Sequence, residues 1–267
     1  MPSAQCTAAA LVALACAGPA GADATPEQEI ATLSEQLARK PDASQLLRRA
    51  SLRSAVRDWQ GAHADCDSAA SLGAAASSVS LVRARILMAA GKPREAATQF
   101  TELPADPQQR GAAAALRAEA RSILGDASGA ATDLSTAIQH ASPPAPDLFI
   151  RRASLTSNPA MAIAGLSEGI QQLGPLPSLV AAATNRELQA GKADDSLRRI
   201  DDLLKSHPDH LPWLELRIRI LDSTGNHAEA YATRQKALAI IDAMPSRRRQ
   251  TEAIRTIRAR LATPTPD

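Results

Sequence analysis

The 267-residue chain is short of aromatic residues: Trp59, Phe100, Phe149, Trp213 and Tyr231 are all it has. β-Branched residues are also sparse, while alanine and leucine dominate a hydrophobic fraction of 45%. That balance disfavours strands and favours helices, and with no convincing period-2 stretch no sheet is predicted. Cysteine occurs at positions 6, 16 and 66. Only Cys66 lies in the body of the chain, which excludes an intrachain disulfide there. Catalytic signatures are missing too. There is no glycine-rich phosphate loop, no zinc-protease helix motif, no paired CxxC, and no serine–histidine–acid set that spacing supports. The net charge of +2 carries no general message about nucleic acid. The 25 arginines against 5 lysines hint at a GC-rich genome.

What is present is a repeat. On a frame of 34, alanines recur at Ala50, Ala84, Ala118 and Ala153, and glycines at Gly91, Gly125, Gly191 and Gly225. A second set of small residues falls at Ala62, Ala96, Ala130, Ala162, Ser196 and Ala230, each followed four positions later by Cys66, Phe100, Leu134, Leu166, Ile200 or Arg234. The segment RRASL occurs at Arg48–Leu52 and again at Arg151–Leu155, an offset of 103. Small residues let two antiparallel helices approach at their crossing. Glycine tolerates the positive φ that closes the first helix. Helices this short gain stability by stacking on neighbours.

A helix–turn–helix period of 34 residues resembles the tetratricopeptide repeat (TPR) family, here from about Pro26 to Met244. The implied fold is all-α, an α-α superhelix of about six repeats with N- and C-terminal capping helices. The pairs are predicted at roughly Ala43–Leu72, Ser77–Leu103, Gln108–His140, Pro146–Leu173, Pro177–Ser206 and Leu211–Met244. Prolines fall between the pairs or in their first turns, with exceptions such as Pro93 and Pro159 in the turns within a pair. The family's aromatic positions are mostly filled by alanine and leucine, which implies closer packing. The fourth repeat is shortened: nine residues separate Ala153 from Ala162, against twelve in the first three copies, and Asn158-Pro159 makes its turn. Arginines recur in the first helices at 49, 83, 117, 152 and 217, with stems expected to pack and heads to pair with a neighbouring carboxylate.

The ends read differently. Residues 1–24 resemble a secretory leader, with an apolar run from Ala8 to Ala17 and small residues for cleavage after Ala24. The run is too short to span a membrane. A periplasmic or secreted protein is expected; the alternative is an outer-membrane lipoprotein acylated at Cys16. Residues 25–42 read as an N-terminal capping helix begun by Thr25-Pro26-Glu27. Residues 43–244 are the array and 245–262 one C-terminal capping helix, striped by Ile254, Ile257 and Leu261, with its arginines pointing elsewhere. Residues 263–267 form a tail expected to be disordered. Arg247, Arg248 and Arg249 read as a solubilising cap, as a weak contact to an anionic surface, or as a site for an acidic partner.

Candidate chemistry is thin. His63, Asp65, Cys66 and Asp67 look like metal ligands on paper, but Cys66 faces the neighbouring helix by register, so packing is the better reading. His207 and His210 flank a proline-containing joint and read as a solvated linker. Asp194, Asp195, Asp201 and Asp202 with Arg198 and Arg199 read as a solvated, ion-paired face. No catalytic residue, metal or cofactor is expected. The resemblance implies instead a concave groove lined by first helices, with Ser51, Arg85, Glu119, Ser154, Asn185 and Arg219 facing it. Ser44, Leu47, Asp147, Ile150 and Glu215 lie one turn away. The lysine–asparagine pattern that clamps a terminal carboxylate in part of that family is missing. These positions read equally well as solvent-exposed filler. The function expected is a non-catalytic scaffold binding a protein or peptide, not nucleic acid. The alternatives are a structural envelope component and an accessory subunit that positions a partner enzyme.

Overall fold

A computed structural model describes residues 24–262, which form fifteen helices and, among the described residues, no strand. The leader reading and the tail therefore lie outside the described residues, except for Ala24. The chain divides into two compact units, residues 1–90 and 91–267. The division falls inside the helix pair predicted at Ser77–Leu103.

The first unit contains α1 (Pro26–Arg39), α2 (Ala43–Ala55), α3 (Trp59–Ser71) and α4 (Ala76–Ala89). Its first three helices begin where side chains can satisfy the free amides of the first turn, whereas α4 follows Ala75 without a side-chain cap. Thr25 and Gln28 form a reciprocal capping box at α1, with Pro26 in the first turn. Asp42 accepts from the amide of Gln45 at 2.9 Å, and Asp58 accepts from that of Gly61 at 2.9 Å. Leu37 of α1 packs on Leu46 and Ala69. A second cluster joins Ala50, Ala62, Cys66, Val79, Val82 and Ile86.

The second unit runs through α5 (Pro93–Thr98), α6 (Pro107–Ile123), α7 (Ala127–His140), α8 (Pro146–Leu155), α9 (Pro159–Leu173), α10 (Pro177–Gln189), α11 (Ala193–Ser206), α12 (Leu211–Ser223), α13 (His227–Ala243), α14 (Ser246–Arg249) and α15 (Glu252–Ala262). The pairs α8–α9 and α10–α11 match their predicted outer bounds to the residue. All ten repeat-register small residues of both helix sets are at most 3% exposed, so they are the crossing points. Gly91, Gly125, Gly191 and Gly225 all take positive φ, between 71° and 83°. The corresponding position of the first copy, 34 residues before Gly91, is Arg57, and it takes φ 63° without being glycine.

Two helices differ from expectation. The second helix of the Ser77–Leu103 pair stops at Thr98 instead of continuing to Leu103. Pro104 disfavours helical backbone at the residue before it. The Phe100 amide is already bonded to the Ala97 carbonyl at 3.2 Å, and the Phe100 carbonyl accepts from Arg117 Nη1 at 2.6 Å. The last helix is not continuous but breaks at Gln250–Thr251 into α14 and α15. Its apolar stripe behaves as predicted: Leu261, Ile254 and Ile257 pack against Leu211, Leu214, Ile218 and Ile241. Its arginines lie off that stripe and are exposed, and two of them are ion-paired. Arg258 pairs with Asp242 at 2.6 Å, and Arg260 grips Glu215 with two bonds of 2.9 and 3.0 Å.

Candidate partner-binding face

The first-helix arginines organise the repeats from within. Arg117 of α6 forms two parallel bonds to Asp133 of α7, at 2.9 and 2.7 Å, and Arg121 adds a third at 2.9 Å. Asp133 is only 2% exposed. Two periods earlier, Asp65 of α3 holds Arg49 and Arg53 of α2 in the same way, at 2.7 and 3.0 Å. Arg83 pairs with Asp67, Arg152 with Glu168 at 2.6 Å, and Arg217 with Asp201 at 2.8 Å. The expectation of packed stems and paired heads holds at each predicted position. Such bonds fix the angle between paired helices, because a planar guanidinium meets a carboxylate in one orientation.

That pairing disposes of the metal reading at His63, Asp65, Cys66 and Asp67. Both carboxylates are held by arginine, and the Cys66 thiol is buried in the core, where burial pushes it up to about 11. Among the described residues, no group of three or more His, Cys, Asp or Glu side chains could hold a metal ion. Three of the four acids of α11 are ion-paired as expected, Asp195 with Arg198, Asp202 with Lys205 and Asp201 with Arg217, but Arg199 turns from that face to the buried Glu187 of α10. The solvated-linker reading holds for His207, which is exposed, and is corrected for His210. His210 is half-buried with its ring 3.9 Å from that of Trp213, and His207 meets the same indole edge-on at 5.4 Å. Burial, aided by His207, lowers the pKa of His210. Trp213 supplies a large apolar surface, which the two imidazoles cover; periodicity gave no hint of this because the residues lie in the joint.

A cleft of about 630 Å³ opens in the first unit between α1, α2 and α3, with Leu37, Leu46 and Leu72 among its walls. Its polar groups are engaged with one another. Arg49 bonds to Asp65 and Ser34, Asp67 pairs with Arg83, and the hydroxyls of Ser68 and Ser71 donate to helix carbonyls.

The six predicted groove residues share one environment. Ser51 and Arg85 in the first unit, and Glu119, Ser154, Asn185 and Arg219 in the second, are all exposed, and each directly follows a buried residue of its helix. Ser51 and Ser154 donate to carbonyls of their own helices, at 3.0 and 2.8 Å. Arg85, Glu119, Asn185 and Arg219 make no side-chain bond among the described residues. The positions one turn away are more committed. Ser44 donates to Asp42, Leu47 and Ile150 are half-buried, Asp147 lies 3.8 Å from Arg151, and Glu215 is held by Arg260. In the second unit, α10 packs against both α8 and α12, so Ser154, Asn185 and Arg219 belong to adjacent first helices. Arg186 of α10 reaches across to the Ala153 carbonyl of α8 at 2.6 Å. Sequence reasoning missed Arg186, because it follows the register position by one and has no carboxylate partner in the repeat frame.

No protein-family model matches the chain, and no curated protein matches it. Solved structures do resemble it. The C-terminal part of a TPR repeat-containing protein from Cytophaga hutchinsonii is similar over 82% of this chain and 92% of that one, at 13% identity and a TM-score of 0.56. A tetratricopeptide repeat protein from Parabacteroides merdae is similar over 89% and 93%, at 15% identity and a TM-score of 0.48. YrrB, described as a TPR protein with an unusual peptide-binding site, is similar over 78% and 91%, at 14% identity and a TM-score of 0.38. The Cytophaga structure and the helix pairs agree on the architecture: the chain has the all-α fold of a TPR array.

Proposed function

We propose that the chain is a non-catalytic scaffold that holds a protein or peptide partner on the exposed first-helix row of each unit, in a periplasmic or secreted setting after cleavage near Ala24. The observation that carries this reading is the contrast between neighbouring first-helix positions. The arginines two positions before Ser51, Arg85, Glu119, Ser154 and Arg219 are locked to acids within the fold, while the row itself stands in solvent with four side chains unengaged. Polar side chains without a bond inside the fold are available for complementarity with a partner. The same row read as solvated filler predicts no positional preference for contact.

A photo-crosslinking amino acid placed singly at Glu119, Asn185 and Arg219, and as controls at Arg198 and Lys236 on second helices, distinguishes the two. The scaffold reading expects adducts to one partner species from the row positions only. Equal adducts from the control positions, or none from the row, overturn it.

A further inference from the structure

We infer that the partner presents an acidic segment, and that the face formed by α8, α10 and α12 receives it through Arg186 and Arg219. This inference rests on the scaffold reading above and names the chemistry of its ligand.

The argument starts from charge compensation. Half-buried first-helix arginines elsewhere in the described residues find a carboxylate, as at Arg49, Arg83, Arg117, Arg152 and Arg217. Arg110 differs because its guanidinium is taken up by the carbonyls of Pro104 and Ala105. Arg186 also has no acid. It is half-buried, and its head is steered by two neutral acceptors, the Ala153 carbonyl at 2.6 Å and Gln189 Oε1 at 3.4 Å. The nearest acid in its own helix, Glu187, is buried and engaged by Arg199 and Ser196. Arg186 is therefore oriented without being neutralised, and a partly desolvated cation without a counter-charge favours an incoming anion.

Arg219 is left uncompensated by a different route. A helix offers it two natural partners, Glu215 one turn back and Asp222 three residues on. Glu215 is gripped by Arg260 from α15 through both oxygens, and Asp222 by Arg234 from α13 at 2.9 Å. With both acids drawn to other helices, Arg219 stands exposed with no bond among the described residues. Asn185 directly precedes Arg186 on α10 and holds there the register position that Arg219 holds on the adjacent α12, and it can donate to and accept from a peptide backbone. The corresponding position on α6 is Glu119, also unengaged, so the cationic character belongs to α8–α12 and reverses one repeat earlier.

The test uses the whole chain and a fluorescein-labelled decapeptide of alternating glutamate and serine, compared with its glutamine and lysine counterparts by fluorescence anisotropy at low salt. The expected result is about tenfold tighter binding of the glutamate peptide than of the glutamine one, from two exposed charge pairs. Arg219→Ala and Arg186→Ala each remove most of that preference, and raising salt weakens it. Arg260→Ala is the sharper variant. It leaves Arg219 in place but frees Glu215 to neutralise it, so affinity falls; adding Glu215→Gln to that variant restores it. Helix content and melting temperature are followed for every variant, so that misfolding is not read as lost binding. No preference among the three peptides overturns the inference. So does a preference that survives Arg219→Ala but disappears with Arg247, Arg248 and Arg255 changed to alanine. Phosphatidylglycerol vesicles or duplex DNA bound more tightly than the peptide would also overturn it. Row-specific crosslinks to a partner whose contacting segment is neutral or basic would leave the scaffold standing and remove only this inference.

Discussion

Replacing Asp133 by asparagine keeps the shape of the side chain and removes its charge. In the native fold Asp133 accepts three bonds from two arginines, at 2.9, 2.7 and 2.9 Å, and is 2% exposed. The amide can accept from one guanidinium nitrogen but must turn its NH₂ toward the other. Removing one member of a buried ion pair ordinarily costs about 3–5 kcal/mol, since the remaining charge is stranded. The arginine side chains retain 13% and 32% exposure, so water recovers part of that, and a loss of about 2–4 kcal/mol is expected. For a unit of this size that corresponds to a fall of roughly 5–15 °C in melting temperature. Urea denaturation followed by circular dichroism reads it. Because helix pairs in an array can unfold separately, Asp65→Asn in the first unit is measured alongside. Its triad has the same geometry, so a similar loss is expected there, in a separable transition if the units melt independently. A loss below about 1 kcal/mol for Asp133→Asn would refute the reasoning, because it would mean that solvent and not the carboxylate compensates these arginines.

Other outcomes follow from single positions. Arg57 occupies with φ 63° the place that glycine fills in other copies, so Arg57→Gly should stabilise the chain by up to about 1 kcal/mol, net of glycine's greater unfolded-state freedom. Gly125→Ala, at φ 83° with no atom within 4 Å of the added methyl, should cost about 1 kcal/mol purely through backbone strain. Gly169 lies under the Phe149 ring, where a Cβ would come within 2.8 Å of the ring, so Gly169→Ala should cost about 1–3 kcal/mol in chemical denaturation. The Cys66 thiol, buried and pushed up to about 11, should resist a thiol reagent at pH 8 in the native state and react on unfolding. Its contribution to stability is complete below the thiol's ordinary pKa near 9. It then falls as pH rises towards 11, because the unfolded chain gives up that proton first; Cys66→Ala should flatten this part of a stability–pH profile.

The repeat was legible because its physics is local. A small residue at each crossing, a positive-φ glycine in the turn and proline at the joints are written within one 34-residue window. The structure accordingly puts Ala50, Ala62, Ala84 and Ala118 at 0% exposure and gives the four turn glycines left-handed backbone. The early end of α5 was only partly legible: Pro104 signals a stop nearby, while the helix ends already at Thr98, where the Phe100 carbonyl is taken by Arg117, 17 residues away. The break at Gln250–Thr251 carries no glycine or proline signal at all. The histidines at the α11–α12 joint went unread because periodicity describes helix faces, and their packing on Trp213 occurs between helices.

The candidate face shows the same divide in sharper form. Register assigned Ser51, Arg85, Glu119, Ser154, Asn185 and Arg219 to a groove; all six are exposed, a result that the groove and the filler readings share. Register could not say which charges on that face are already compensated. Glu215 and Arg219 are four apart on α12, a spacing at which an intrahelical pair can form. The pair is undone by Arg260, 45 positions beyond Glu215, which returns on α15 to take the carboxylate. Nothing in the repeat frame marks Arg186, whose head is bonded to a carbonyl 33 residues back. Charge available to a partner is what remains after the fold has satisfied itself. In a repeat protein that remainder is set by contacts between repeats and by the terminal helix, not by the repeat motif. Two arrays with the same motif can therefore present opposite faces to their partners, and on this chain the closing helix determines the charge of the last repeat.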